Sequence, residues 1–296
     1  MTKKLVCGVM LLGLFAPSSD LTAQAMRVQE VKWEDLPEAP LSEEGQRALN
    51  IRPGRWRYAV TEHFVLHFRR IAEAVRTVRF IDHVMEHTAE MLGFEPEAYQ
   101  TLSRAYVFED EAEWMRFLLD GGYPTWIGSF AKQDELFLSI RRQRQEGGFD
   151  HFMLAHETVH AAVARLYPEH RWPLWLNEGF AEYAGRAAVA AERGARVQKD
   201  QDHLPPSSLV DLETIQQIEM YPSDPILISS LYRSSEAVVR FMLNTHPPEK
   251  FRMFVDAHVV EGKDFEAAIM LAYGQSYGSF EEFAAACDEF RRTQVR

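Results

Sequence analysis

Cysteine is nearly absent: the 296-residue chain has two, Cys7 and Cys287. The first falls in a leader-like segment, so the segment that follows has a single thiol and cannot form an internal disulfide. Cys7 also lies too early for a lipid-attachment site. Cys287 reads as a buried, inert thiol on a C-terminal helix. Positive charge is also in short supply. Lys and Arg number 32 against 44 Asp and Glu, a net charge of -12, which argues against nucleic acid as a partner. No stretch is long and apolar enough to span a bilayer, so stable membrane insertion is not expected. Repeats and low-complexity tracts are absent as well.

The N-terminal segment has the three parts of an export signal. Lys3 and Lys4 are followed by an apolar run, Leu5 to Ala16, and by a small-x-small site at Ala23-Gln24-Ala25. Residues 1–25 are therefore expected to be a signal peptide, cleaved near Ala25, with the rest exported to the periplasm or secreted. Residues 26–57, rich in proline and charge without a clear period, read as an extended lead-in.

Beyond that the pattern is mixed. Strands are expected at Glu62–Phe68, Arg104–Phe108, Thr125–Ala131 and Glu135–Ile140. Amphipathic helices are expected at Ala72–Leu92 and Asp110–Leu119. A helix over roughly Phe149–Leu166 ends at Pro168, and another runs from Pro173 to about Ala191. After a charged, Pro-Pro-terminated segment at 192–208, everything reads as helix: Leu209–Ile218, Ser229–Asn244, Pro248–Val260, Phe265–Ala272 and Ser279–Arg292. The expected class is α+β. A mixed α/β unit (58–192) carries the site, and a helical unit (193–296) follows.

The chemistry lies between His156 and Glu182. His156-Glu157-Thr158-Val159-His160 is an H-E-x-x-H pattern in an apolar run. Residues i and i+4 share a helix face, so two imidazoles can grip one cation. Chance alone gives such a pattern roughly 0.04 times in a chain of this composition, which makes it suggestive rather than decisive. A reversed pattern, His83-Val84-Met85-Glu86-His87, is as rare. Asp82, Glu86 and Glu90 around it suggest a solvated helix surface, whereas the surroundings of His156 and His160 imply burial. Two prolines break the helix between His160 and Glu178, permitting a helical hairpin that returns Glu178 toward the histidines. Three protein ligands of this kind suit zinc and leave one position open. Glu182, one turn on, can orient a ligand imidazole through its other nitrogen.

HETVH followed by WLNEGFAEY resembles the gluzincin metallopeptidases, and more closely bacterial peptidase-MA-like proteins. The order of EHFVLHF, RAYVFEDEAEWMRFL, LYRSSEAVVRFML and SFEEFAAACDEFRR extends the likeness over most of the chain after the leader, although only the two metal motifs are specific. The resemblance implies a two-lobed zincin-like fold with a cleft between a small mixed sheet and a helical lobe. It implies His156, His160 and Glu178 as ligands of one Zn2+, with Glu157 as catalytic base. It also implies an oxyanion donor from the C-terminal half, for which Tyr232 is the candidate and Tyr221 the competitor. Tyr183 should point away from Glu178. The His160–Glu178 spacing is one residue shorter than in the aminopeptidase branch, and the G-x-M-E-N element of that branch is missing. Endopeptidase action on peptide or protein substrates is therefore expected. The upstream strands, 127–131 or 135–140, can pair with an extended substrate, and Arg141, Arg142 and Arg144 form a basic run nearby. Two other readings stand beside this one: a low-turnover zincin-scaffold binding or assembly protein, and a zinc hydrolase of a non-peptide amide such as a cell-wall bond.

Overall fold

The computed structural model describes residues 29–37, 41–95, 98–142, 144–145, 148–149, 151–194 and 209–294. The expected leader segment, its expected cleavage site and Cys7 lie outside them, as does most of the charged segment at 192–208.

Six strands form one mixed sheet: β1 (Gln29–Val31), β2 (Arg57–Val60), β3 (Phe64–Phe68), β4 (Ser103–Phe108), β5 (Ser129–Lys132) and β6 (Glu135–Ser139), in the spatial order β1-β2-β3-β4-β6-β5. The central pairs β3–β4 and β4–β6 are parallel; the others are antiparallel. Every residue of β3, β4 and β6 is buried, as expected where helices cover both faces of a parallel core. The two-residue side-chain period then sorts the strands between two apolar clusters. Ala105, Val107, Leu136 and Leu138 join one, and Tyr106, Phe108 and Phe137 the other.

The smaller cluster is closed by α1 (Glu43–Asn50) and α3 (Glu111–Asp120), through Ala48, Trp114, Phe117 and Leu118. The larger one is closed by α2 (Ile71–Met91) and α4 (His151–Leu166), and continues through α5 (Leu174–Glu192) into the C-terminal helices. These are α6 (Leu212–Ile215), α7 (Pro225–Asn244), α8 (Pro248–Val255), α9 (Phe265–Tyr273) and α10 (Phe280–Gln294), with a π-helical turn at Asp256–Val260 after α8. The overall class is mixed α/β with most residues helical. Structure changes from mixed to all-helical after α5, but the buried cluster runs unbroken from Ala59 to Cys287. Cys287 is fully buried, and burial pushes its thiol up to about 12.

Three expectations need correction. The lead-in at 26–57 is not merely extended: β1 pairs with β2, and α1 packs beneath the sheet. Its start is capped by Ser42, whose Oγ accepts the amide of Gly45 at 2.8 Å. The contact face of α1 consists of small residues, Gly45 and Ala48, and a Cβ on Gly45 would lie 2.3 Å from the Tyr106 hydroxyl oxygen. A helix so short and so poor in large apolar side chains offers no apolar stripe to read in the sequence. The strand expected from Thr125 begins only at Ser129, because the carbonyl of Ile127 is taken by Trp114 Nε1 (2.8 Å) and Arg142. The polar side of α2 is solvated at Glu90 but covered further back. Asp82 is 1% exposed, and His83 Nε2 meets the main-chain oxygen of Ala188 on α5 at 3.3 Å.

Candidate metal centre

α4 and α5 form the expected hairpin. Pro168 and Pro173 lie in the turn, and α5 begins at Leu174 with Pro173 as its N-terminal flank. Two glycines let α5 approach its neighbours. A Cβ on Gly185 would lie 3.1 Å from the His156 amide nitrogen, and one on Gly179 would lie 2.6 Å from the Ser235 backbone of α7. A helix-interior glycine costs about 1 kcal/mol relative to alanine; here it allows backbones to meet where a side chain would separate them. Neither glycine was singled out by the motif reading, although a glycine within a helix is itself a cue to close packing.

The hairpin brings His156, His160 and Glu178 together, and one ligand atom from each lies within 4.8 Å of the other two. The two imidazole Nε2 atoms are 3.1 Å apart. Glu178 Oε2 lies 3.3 Å from His156 Nε2 and 3.6 Å from His160 Nε2. Glu178 is 2% exposed, and its Oε2 has no hydrogen-bond partner. Its other oxygen, Oε1, accepts a hydrogen bond from the Tyr221 hydroxyl at 2.5 Å. The carboxylate is therefore satisfied on one side and open toward the imidazoles on the other. A buried polar atom left in this way costs about 1–3 kcal/mol, and a cation between the three atoms removes that cost. This buried cluster can hold one metal ion.

The charges reflect the crowding. Burial pushes the Glu178 carboxyl up, but the imidazoles of His160 and His156 outweigh it and hold the group well below the usual carboxylate range. Burial pushes His160 down, yet Glu178 beside it lifts the ring to about 9. Burial raises Glu157, with the two histidines acting against it. Glu157 Oε2 accepts the amide of Ala131 on β5 at 2.9 Å, so the acid between the histidines is tied to the outer strand of the sheet.

The remaining candidates fall around this cluster. Glu182 Oε1 is 3.5 Å from His156 Nδ1, and Arg186 donates to its other oxygen at 3.0 Å. The Arg186 guanidinium stacks over Phe152, 4.3 Å from the ring centre. The ring of Tyr232 meets that of His156 edge-on, with centroids 6.1 Å apart, and lies 6.4 Å from the ring of Tyr221. Both tyrosines therefore reach the site, but it is Tyr221, the competitor, whose hydroxyl touches a ligand residue. Its position depends on where a loop between α6 and α7 settles, which no local pattern encodes. Tyr183 points elsewhere, bonding Asn244. Arg142 is engaged with Glu111 and the carbonyl of Thr125, so it braces the loop before β5; Arg141 is exposed.

His83 and His87 do not converge. Their rings lie nearly parallel with centroids 6.0 Å apart, and among the described residues they belong to no group of potential ligands. No family model matches the chain, and neither a curated protein nor a solved structure matches it.

Proposed function

We propose that the protein is an exported zinc metallopeptidase of the gluzincin type, acting within peptide chains on a zincin-like, two-lobed scaffold. The observation that carries this reading is the triangle of His156 Nε2, His160 Nε2 and Glu178 Oε2, with edges of 3.1, 3.3 and 3.6 Å. Tetrahedral zinc with bonds of about 2.0–2.1 Å places its ligand atoms about 3.3–3.4 Å apart. Two imidazoles and one carboxylate are also a donor set that suits zinc and leaves a fourth position free for chemistry. The orphaned Glu178 Oε2 fits that role, and Glu182 Oε1, 3.5 Å from an unpartnered His156 Nδ1, stands where a brace for a ligand imidazole would come from.

Zinc bound there would act as a Lewis acid and make water a usable nucleophile near neutral pH. The chain's own groups would do the rest. Glu157, raised by burial and directly beside the first ligand, takes the proton of the attacking water and returns it to the leaving amine. Its hydrogen bond to Ala131 holds it against the β5 edge. An extended peptide added along that edge would pass over Glu157. Tyr221 has its proton committed to Glu178 Oε1 and positions that ligand. Tyr232, against His156, is left to donate to the oxyanion.

A binding or assembly role on the same scaffold finds less support, because a purely structural metal site has no use for a half-buried acid at position 157. Hydrolysis of a non-peptide amide, such as a cell-wall bond, would use the same groups. The test is digestion of an unbiased peptide library by the purified protein, with Glu157→Gln as control. The expected outcome is internal cleavage, with turnover reduced about 10²–10⁴-fold in Glu157→Gln and metal content retained. No cleavage by the parent protein would favour the binding role, and equal cleavage by both would remove Glu157 as base.

A further inference from the structure

The reversed motif on α2 fails to gather its own histidines, but its glutamate faces a second cluster. Glu62 and His63, at the entry to β3, and Glu86, in the C-terminal third of α2, each present a ligand atom within 4.8 Å of the other two. His63 is 2% exposed, and neither of its ring nitrogens has a hydrogen-bond partner. The residue is held from several sides. Its carbonyl accepts the Ser103 amide at 2.9 Å and Arg165 Nη1 at 3.0 Å, and its ring meets Tyr99 edge-on at 5.1 Å. Arg165 in turn lies over Tyr99, 4.7 Å from the ring centre.

A buried imidazole with both nitrogens unsatisfied is costly to the fold. The neutral ring keeps a lone pair, which is the form that binds metal. Glu86 is raised by burial and then by Glu62, so two carboxylates repel each other beside that lone pair. A divalent cation answers both needs. We propose that Glu62, His63 and Glu86 form a second metal site, taking a first-row divalent ion such as Zn2+ or Mn2+, that pins the entry of β3 to the C-terminal part of α2. The imidazole favours such an ion over Ca2+ or Mg2+, which prefer oxygen alone. The site shares no residue with the His156 centre. Its partly exposed carboxylates make it the weaker of the two.

The probe is zinc alone, counted on chelator-stripped full chain after dialysis. The variants are Glu62→Gln with Glu86→Gln, which keep shape and remove charge, and His156→Ala with His160→Ala. The expected counts are about two ions for the parent, about one for either pair, and about none for the four changes together. In the His156→Ala, His160→Ala background, zinc should also raise the melting temperature, and the two Gln changes should abolish that rise. A zinc count unchanged by the Gln pair in both backgrounds overturns the proposal. A parent count of one that survives loss of His156 and His160 and disappears with the Gln pair supports this site while removing the other. A count of one with the opposite dependence overturns this site and leaves the peptidase reading standing.

Discussion

Helices α2 and α4 carry nearly the same pattern, two histidines four residues apart with a glutamate between them, and the structure treats them differently. On α4 the rings of His156 and His160 stand at 81° with centroids 4.7 Å apart, which brings their Nε2 atoms to 3.1 Å. On α2 the rings of His83 and His87 lie at 19° and 6.0 Å. The distinguishing partner is α5, which packs on both helices. It offers α4 the open carboxylate oxygen of Glu178 and offers α2 the main-chain oxygen of Ala188. Spacing along one helix thus places two imidazoles on one face, but the third group decides whether they share an ion. The glycines at 179 and 185 matter for the same reason, since they set how close that third group comes.

The largest effect should follow from removing the third group. Glu178→Gln keeps the shape of the side chain and its Oε1 contact to Tyr221 but withdraws the charge that draws a cation between the histidines. The tightly held ion should fall from about one per chain to near zero after gentle purification, and hydrolysis should vanish with it. Metal retained in Glu178→Gln would show that α5 is not what separates α4 from α2. A smaller effect is expected one turn further along. Glu182→Gln leaves all three ligands in place but weakens the brace on His156 Nδ1, so metal affinity should drop about 10- to 100-fold, measured by competition with a chelator. Unchanged affinity would mean that the 3.5 Å approach of Glu182 to His156 has no influence on the ligand.

The contrast also shows what the sequence reveals and what it hides. The hairpin of α4 and α5 was legible because both helices are long apolar runs bounded by prolines. The meeting of His156, His160 and Glu178 follows from one helical period plus a return. Strands β3, β4 and β6 were legible as short strands, although the alternation read in 62–68 does not appear in β3, where all five residues are buried. β1, β2 and α1 were not, because they are three, four and eight residues long and draw their order from pairing and packing with distant residues. The contact of Tyr221 with Glu178 was only an alternative, since a loop residue is placed by the surfaces on either side of it. The polar face of α2 was misread for a related reason. Asp82, Glu86 and Glu90 look like one solvated stripe in one dimension; Glu90 is indeed exposed, and only packing against α2 reveals that Asp82 is covered.

The covering of Asp82 has a measurable consequence. Burial pushes its carboxyl up to about 7, against the hydrogen bond from Thr61 Oγ1 (2.9 Å) and with Glu62 and Glu86 adding to the rise. A carboxyl whose folded value exceeds its unfolded value of 3.8 binds its proton more tightly when folded. Its contribution to stability is complete below the unfolded value and is lost as pH rises through the folded one. Asp82→Asn retains an oxygen for Thr61 and carries no charge at any pH. Between about pH 4 and 7, the parent should therefore lose stability relative to Asp82→Asn by up to about 1.4 kcal/mol per pH unit. Denaturant unfolding of both chains across that range measures the difference, and parallel curves would return Asp82 to the solvated surface.

The smallest expected effect tests the comparison most directly. His83→Ala with His87→Ala removes two imidazoles that copy the spacing of the ligand pair. If the third partner decides, the tight metal content and the hydrolytic rate should both stay within error of the parent. His83 gives up one contact to a main-chain oxygen, and His87 one long approach of 3.9 Å to Glu90. His87 Nε2 is buried without a partner, so its removal ends a desolvation cost, and stability should change by less than about 1 kcal/mol. Loss of the tight ion in this double variant would transfer the metal from α4 to α2, and the geometric distinction between the two helices would then have been read the wrong way round.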